Sequence, residues 1–188
     1  PVAVAAESAP VAAPSRAGFE ALAGVGYGLI TEVQRIQMQP YAASFGLDLG
    51  YTFEFGLHLG AKLSYGLGQQ KEQTYESMGR QRQMTIDSNA VSTFLSVGYD
   101  LWLHFLILRY SLGIGATFLN WELGNIQGSF EGYTAPTGSV TSFVLVPGLL
   151  LLWPIKAFEI GLGFDYFFQA DVQTPSGIVT QLVLGVKL

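Results

Sequence analysis

From residue 18 onward, apolar residues alternate with small or polar ones at a period of two. At this spacing a strand turns successive side chains to opposite faces. Between 41 and 53, Tyr41, Ala43, Phe45, Leu47, Leu49, Tyr51 and Phe53 share one face, and Ala42, Ser44, Gly46, Asp48, Gly50 and Thr52 share the other. The next segment repeats the pattern, with Phe55, Leu57, Leu59, Ala61, Leu63, Tyr65 and Leu67 set against Gly56, His58, Gly60, Lys62, Ser64 and Gly66. The same reading predicts strands over Phe19–Ile30, Ala90–Asp100, Phe105–Trp121, Phe158–Gln169 and Ile178–Leu188. The strand predicted at Thr141–Trp153 is apolar on both faces. With Gly148 inward, Phe143, Leu145, Pro147, Leu149 and Leu151 turn outward. Pro147 cannot donate to a ladder and is expected to mark a bulge.

Connections between these strands alternate in length. They are long near 31–40, 69–89 and 122–140, medium near 170–177, and tight near 53–55, 101–104 and 154–156. This is the rhythm of an up-and-down barrel with long loops at one end and short turns at the other. The fold class expected is therefore all-β, an eight-stranded antiparallel up-and-down transmembrane β-barrel over residues 18–188. An even strand count would leave both termini on the periplasmic side of a bacterial outer membrane.

Composition decides which face is inside. Hydrophobic residues make up 49% of the chain and charged residues only 12%, with 23 glycines. A soluble barrel would carry many Lys and Glu on its polar face, whereas here that face is mostly Gly, Ser and Thr with about one charge per strand. The unbroken apolar rows are long enough to meet lipid, which puts the polar face in the bore. The longest strongly apolar stretch, Phe143–Ile155, is about 13 residues and contains Pro147, Gly148 and Pro154, short of the roughly 20 apolar residues of a spanning helix. Net charge of −5 argues against nucleic acid as a partner. The absence of cysteine removes disulfides and thiolate chemistry. Residues 1–17, Ala- and Pro-rich without period, read as a mature N-terminus after removal of an export signal and as a flexible periplasmic tether.

Aromatic positions fit two interfacial girdles. Phe19, Tyr51, Phe53, Phe55, Tyr99, Trp102, Trp153 and Phe158 are expected near the turn ends. Tyr27, Tyr41, Tyr65, Phe118, Trp121, Tyr166 and Phe168 are expected near the loop ends.

Strand number, loop alternation and girdles together resemble the small outer-membrane barrel family typified by the OmpA transmembrane domain and by OmpX. The terminal QLVLGVKL is similar to the signal by which such barrels are recognised for assembly, through Gly185, Val186 and Leu188, although it ends in Leu where many members end in Phe. The resemblance implies contact with outer-membrane lipid, lipopolysaccharide and the barrel assembly machinery.

The assigned faces send Glu20, Asp48, His58, Lys62, Asp100, Arg109, Glu159, Asp165 and Lys187 into the bore. Both signs are present, and a narrow barrel is filled by its own side chains, so a structural ion-pair network is the leading expectation. The alternative is a narrow channel for water, ions or very small solutes, motivated by Gly46, Gly113, Gly115, Gly161 and Gly163 on the same face. A second alternative is a lipid-A modifying enzyme, for which only His58 and His104 are available; no nucleophile is visible beside either. No catalytic residue, metal site or cofactor is expected. The segment 69–89, with Lys71, Glu72, Glu76, Arg80 and Arg82, and the segment 122–140, with Phe130 and Tyr133, offer contacts to lipopolysaccharide or an envelope protein. The expected role is non-enzymatic: structural, anchoring or surface-interacting, alone or within a larger envelope assembly.

Overall fold

The computed structural model describes residues 17–31, 38–77, 80–127, 137–171 and 174–188. The expected tether therefore lies, apart from Ala17, outside the described residues, as do Phe130 and Tyr133. The strands are β1 (Gly18–Ile30), β2 (Ala43–Thr52), β3 (Leu57–Leu67), β4 (Lys71–Ser77), β5 (Arg80–Leu103), β6 (Leu106–Gln127), β7 (Thr137–Ile155), β8 (Phe158–Gln169) and β9 (Gly177–Lys187). Each pairs antiparallel with its neighbours, β9 returns to β1, and β3 pairs with β5 across the excursion of β4. Eight strands thus close a barrel, and β4 stands outside the ring as the return arm of a hairpin with the upper part of β5.

That hairpin corrects the long loop expected at 69–89. The polar stretch Lys71–Ser77 has no apolar alternation to announce a strand, yet it pairs from Lys71↔Ile86 to Ser77↔Arg80. The 122–140 connection is shortened in the same way, because β6 runs to Gln127 and β7 begins at Thr137. Pro147 marks no bulge. The β7–β8 ladder lacks pairs at Val146 and Pro147, but the register at Leu145↔Phe168 resumes unshifted at Gly148↔Asp165. Proline's missing donor interrupts the bonding without adding a residue. A register shift does occur at Gln83/Thr85, in the extension beyond the ring.

The outward face is a continuous apolar surface that includes Phe19, Leu95, Phe105 and Phe158, each exposed by 65% or more. It stops at one row. Leu67 pairs with Asn89, Asn89 with Asn120, and Asn120 with Ser139, and the next row sets Asp87 against Glu122 and Glu122 against Thr137. From Val91 to Leu103, at ~3.3 Å per residue and a tilt of ~40°, the band is about 30 Å tall along the axis. This is close to the ~25 Å apolar band of outer-membrane barrels. Above it β4, β5, β6 and β7 continue as a sheet.

The short turns close the opposite end. Gly56 takes φ 93°, and His104 and Lys156 take φ 52° and 61° in the turns between β5 and β6 and between β7 and β8. Two-residue hairpin turns with a left-handed first residue favour glycine there. A side chain in that region costs about 1–2 kcal/mol, partly returned by the stiffer unfolded chain. His104→Gly and Lys156→Gly are each expected to stabilise the barrel by about 0.5–1 kcal/mol, seen as a higher urea midpoint at unchanged slope in micelles.

Candidate functional site

The bore is layered. At the loop end, Met38, Tyr41, Ile86, Ala90, Phe94, Leu119, Val144, Val146, Phe167 and Val179 form one buried apolar cluster. Tyr41 stacks on Phe167 at 5.4 Å between ring centroids, and Phe94 meets Phe167 edge-on at 6.0 Å. Beneath them a small cavity of about 30 Å³ is lined by Asp48, His58, Lys62, Ser96, Arg109 and Asp165, among others. Towards the turn end lies the main charged cluster, interleaved with Leu22, Ile107, Leu152 and Val183.

Arg109 organises that cluster. Its Nη1 and Nη2 donate to Glu20 Oε1 and Oε2 at 2.6 and 3.0 Å. Its Nε and Nη2 donate to Asp100 Oδ1 and Oδ2 at 2.6 and 2.9 Å. Two bidentate carboxylates use the guanidinium fork fully, and all three side chains are at least 98% buried. Nη2 also donates to Thr52 Oγ1 at 3.3 Å, which lies 3.1 Å from His58 Nδ1. Asp100 is placed beside Arg109 because the two are direct partners in the β5–β6 ladder.

A second ion pair joins Lys62 to Asp165, with Lys62 Nζ 5.8 Å from the centre of the Phe94 ring. Counted around the ring, β1 and β6 are opposite staves, and so are β3 and β8. The Glu20–Arg109 and Lys62–Asp165 pairs therefore both cross the bore. Asp48 lies opposite Lys62 in the β2–β3 ladder. Glu159 is buried near the turn end. Lys187 places its Nζ 5.4 Å from the centre of the Trp102 ring.

All the bore charges read from alternation point inward, but the structure shows partnerships the sequence could not. Thr52 also belongs to the Arg109 network, Ser96 and Gln181 line the cavity, and Gln181 Nε2 donates to Ser44 Oγ at 2.9 Å. Charge does not flag these three; their place on the polar face of each strand is the signal the sequence offers for them. Three aromatics depart from the girdles. Tyr41 is 2% exposed and accepts a hydrogen bond from Gln169 Nε2 at 3.1 Å inside the mouth. Trp102 faces inward because it is two residues from Asp100 on the same strand, and it packs on the turn-end cluster. Trp121 packs on the loop-end cluster for the same reason of parity with Arg109 and Leu119. Tyr27, Phe55, Tyr65, Tyr99, Phe118, Phe158 and Phe168 are exposed on the outer surface, and Tyr51, Phe53, Trp153 and Tyr166 are half-buried.

His58 is 1% exposed beneath Arg109 and Thr52, and His104 is exposed in its turn. Neither has an accessible nucleophile within its described hydrogen bonds. No group of three or more His, Cys, Asp or Glu side chains that could hold a metal occurs among the described residues. At the chain end Leu188 exchanges backbone hydrogen bonds with Phe19 at 2.8 and 3.0 Å. Gly185 and Val186 lie in the β9 strand that closes the ring against β1.

No protein-family model matches the chain, and no curated protein matches it in sequence. Solved structures do match its fold. A major outer membrane protein from Thermus thermophilus superposes with a TM-score of 0.67 at 14% identity, covering 92% of this chain and 99% of that one. Ail, the attachment invasion locus protein of Yersinia pestis, matches at 0.53 and 16% identity over 90% of this chain and 97% of its own. The N-terminal β-barrel domain of Pseudomonas aeruginosa OprF matches at 0.51 and 16% identity, over 91% and 98%. The fold is that of the small outer-membrane β-barrels, and at these identities the likeness covers the fold alone.

Proposed function

We propose that the chain is an integral barrel of a bacterial outer membrane with a closed bore and a non-enzymatic role, acting through the parts that stand outside the lipid. The observation that carries this reading is the filling of the bore: an apolar plug of ten buried residues lies above an arginine held by two buried carboxylates. The cavity between them is about 30 Å³, and a path for solutes would need both layers to part. An exposed apolar surface of this extent is a lipid-facing feature, and its sharp edge at the Asn89–Asn120 row supports a membrane boundary there.

With the short turns and both chain ends of the barrel in the periplasm, the sheet of β4 and the upper parts of β5, β6 and β7 projects from the cell. Loops on a rigid scaffold commonly carry recognition, and Ail, whose name describes attachment and invasion, shares this fold. Lipopolysaccharide, the barrel assembly machinery acting on the β9 end, and an envelope partner for residues 1–17 remain part of the reading. The protein reconstituted in planar bilayers is expected to give no stepwise conductance, while its unheated form migrates faster than its heated form in gels. Regular single-channel steps that vanish in Arg109→Ala would replace this reading with the channel.

A further inference from the structure

We propose that a single water molecule resides in the bore beside Gly60 and ties Asp48 and Ser96 to His58 of the Arg109 cluster. Arg109 Nη1 has only protons to offer, so His58 Nε2, 3.5 Å from it, carries the ring's lone pair. The proton is then on Nδ1 and is donated to Thr52 Oγ1. Two further buried atoms, Asp48 Oδ1 and Ser96 Oγ, have no protein hydrogen-bond partner.

These three atoms converge. A β-carbon on Gly60 would stand 2.9 Å from Asp48 Oδ1, 2.9 Å from His58 Nε2 and 3.1 Å from Ser96 Oγ. Glycine is the residue that leaves this space open, and the cavity of about 30 Å³ is lined by Asp48, His58 and Ser96 alike. A resident water needs roughly 10–15 Å³ of such space and makes about three hydrogen bonds. Its valence matches the cradle: it donates to Asp48 Oδ1, accepts from the Ser96 hydroxyl, and turns its second proton to His58 Nε2, whose one lone pair it shares with the long 3.5 Å contact from Arg109. One carboxylate oxygen, one imidazole and one hydroxyl make a poor metal site.

The position has a structural consequence. His58 belongs to the Arg109 cluster, and Asp48 stands across the ladder from Lys62, the partner of Asp165. The water carries the hydrogen-bonded chain from Glu20 and Asp100 through Arg109 and His58 to Asp48, which faces the Lys62–Asp165 pair from the neighbouring strand.

Water-selective NOE and ROE spectra of the full chain, isotope-labelled and folded in micelles, test the site. The expected result is a bound-water contact to the Gly60 amide, with NOE and ROE of opposite sign, that is weakened in Ser96→Ala and lost in Gly60→Ala. Heat-modifiable gel mobility confirms that each variant is folded; if Gly60→Ala is not, Ser96→Ala carries the comparison. Absence of the contact in the unmodified protein overturns the proposal. So does its survival in folded Gly60→Ala, which would mark relay through the Ser96 hydroxyl. Loss of the contact on adding sodium or ammonium at unchanged fold would assign the site to a cation instead.

Discussion

Arg109→Ala is expected to cost the folded barrel about 3–5 kcal/mol, read as a fall in the urea midpoint of the micelle-embedded protein. The loss does not measure an attraction removed. It comes from Glu20 and Asp100, which the substitution leaves buried and without their guanidinium partner. Desolvating a carboxylate is costly, and the four short contacts to Arg109 offset it. The same argument predicts a rescue. Adding Glu20→Gln and Asp100→Asn to an Arg109→Met background should recover most of the loss, because no buried charge is then stranded. If Arg109→Ala and the triple variant unfold at the same urea concentration, the cost lies in packing around the arginine stem rather than in charge.

Phe167→Ala carries the second large effect. The ring is 1% exposed and touches both Tyr41 and Phe94, so its removal deletes the centre of the loop-end cluster. Truncating a buried Phe typically costs about 3–5 kcal/mol, the transfer loss plus the cavity left behind. Bilayer conductance should nevertheless stay at background, because the Arg109 layer near the turn end is untouched. Conductance appearing in Phe167→Ala alone would show that the apolar plug is the whole barrier and the ion pairs are no obstacle to solutes.

The staves of the ring were readable because lipid on one side and a narrow bore on the other impose a strict period of two. The strand Phe158–Gln169 is predicted and observed with the same limits. Gly148 inward is likewise observed, with Val144, Val146 and Leu152 buried on its face. Where neither constraint acts, the pattern fades. Lys71–Ser77 lies beyond the apolar band, and its polar sequence does not distinguish it from a loop. Alternation also assigns a face but neither an azimuth nor a height, so Glu20 and Arg109 could be placed inside without being placed together. Trp102 and Trp121 show the converse error: closeness to a strand end suggested an interface, while parity with Asp100 and with Arg109 already turned them inward.

The two cross-bore ion pairs join β1 to β6 and β3 to β8, staves a quarter-turn apart around the ring. They therefore brace two perpendicular diameters of the cross-section. Flattening a cylinder along either of these diameters shortens it and lengthens the one at right angles, so an oval distortion aligned with them must compress or stretch these struts. A barrel held this way is stiffened against flattening along those two directions. The projecting sheet of β4, β5, β6 and β7 continues from the part of the ring that these struts span.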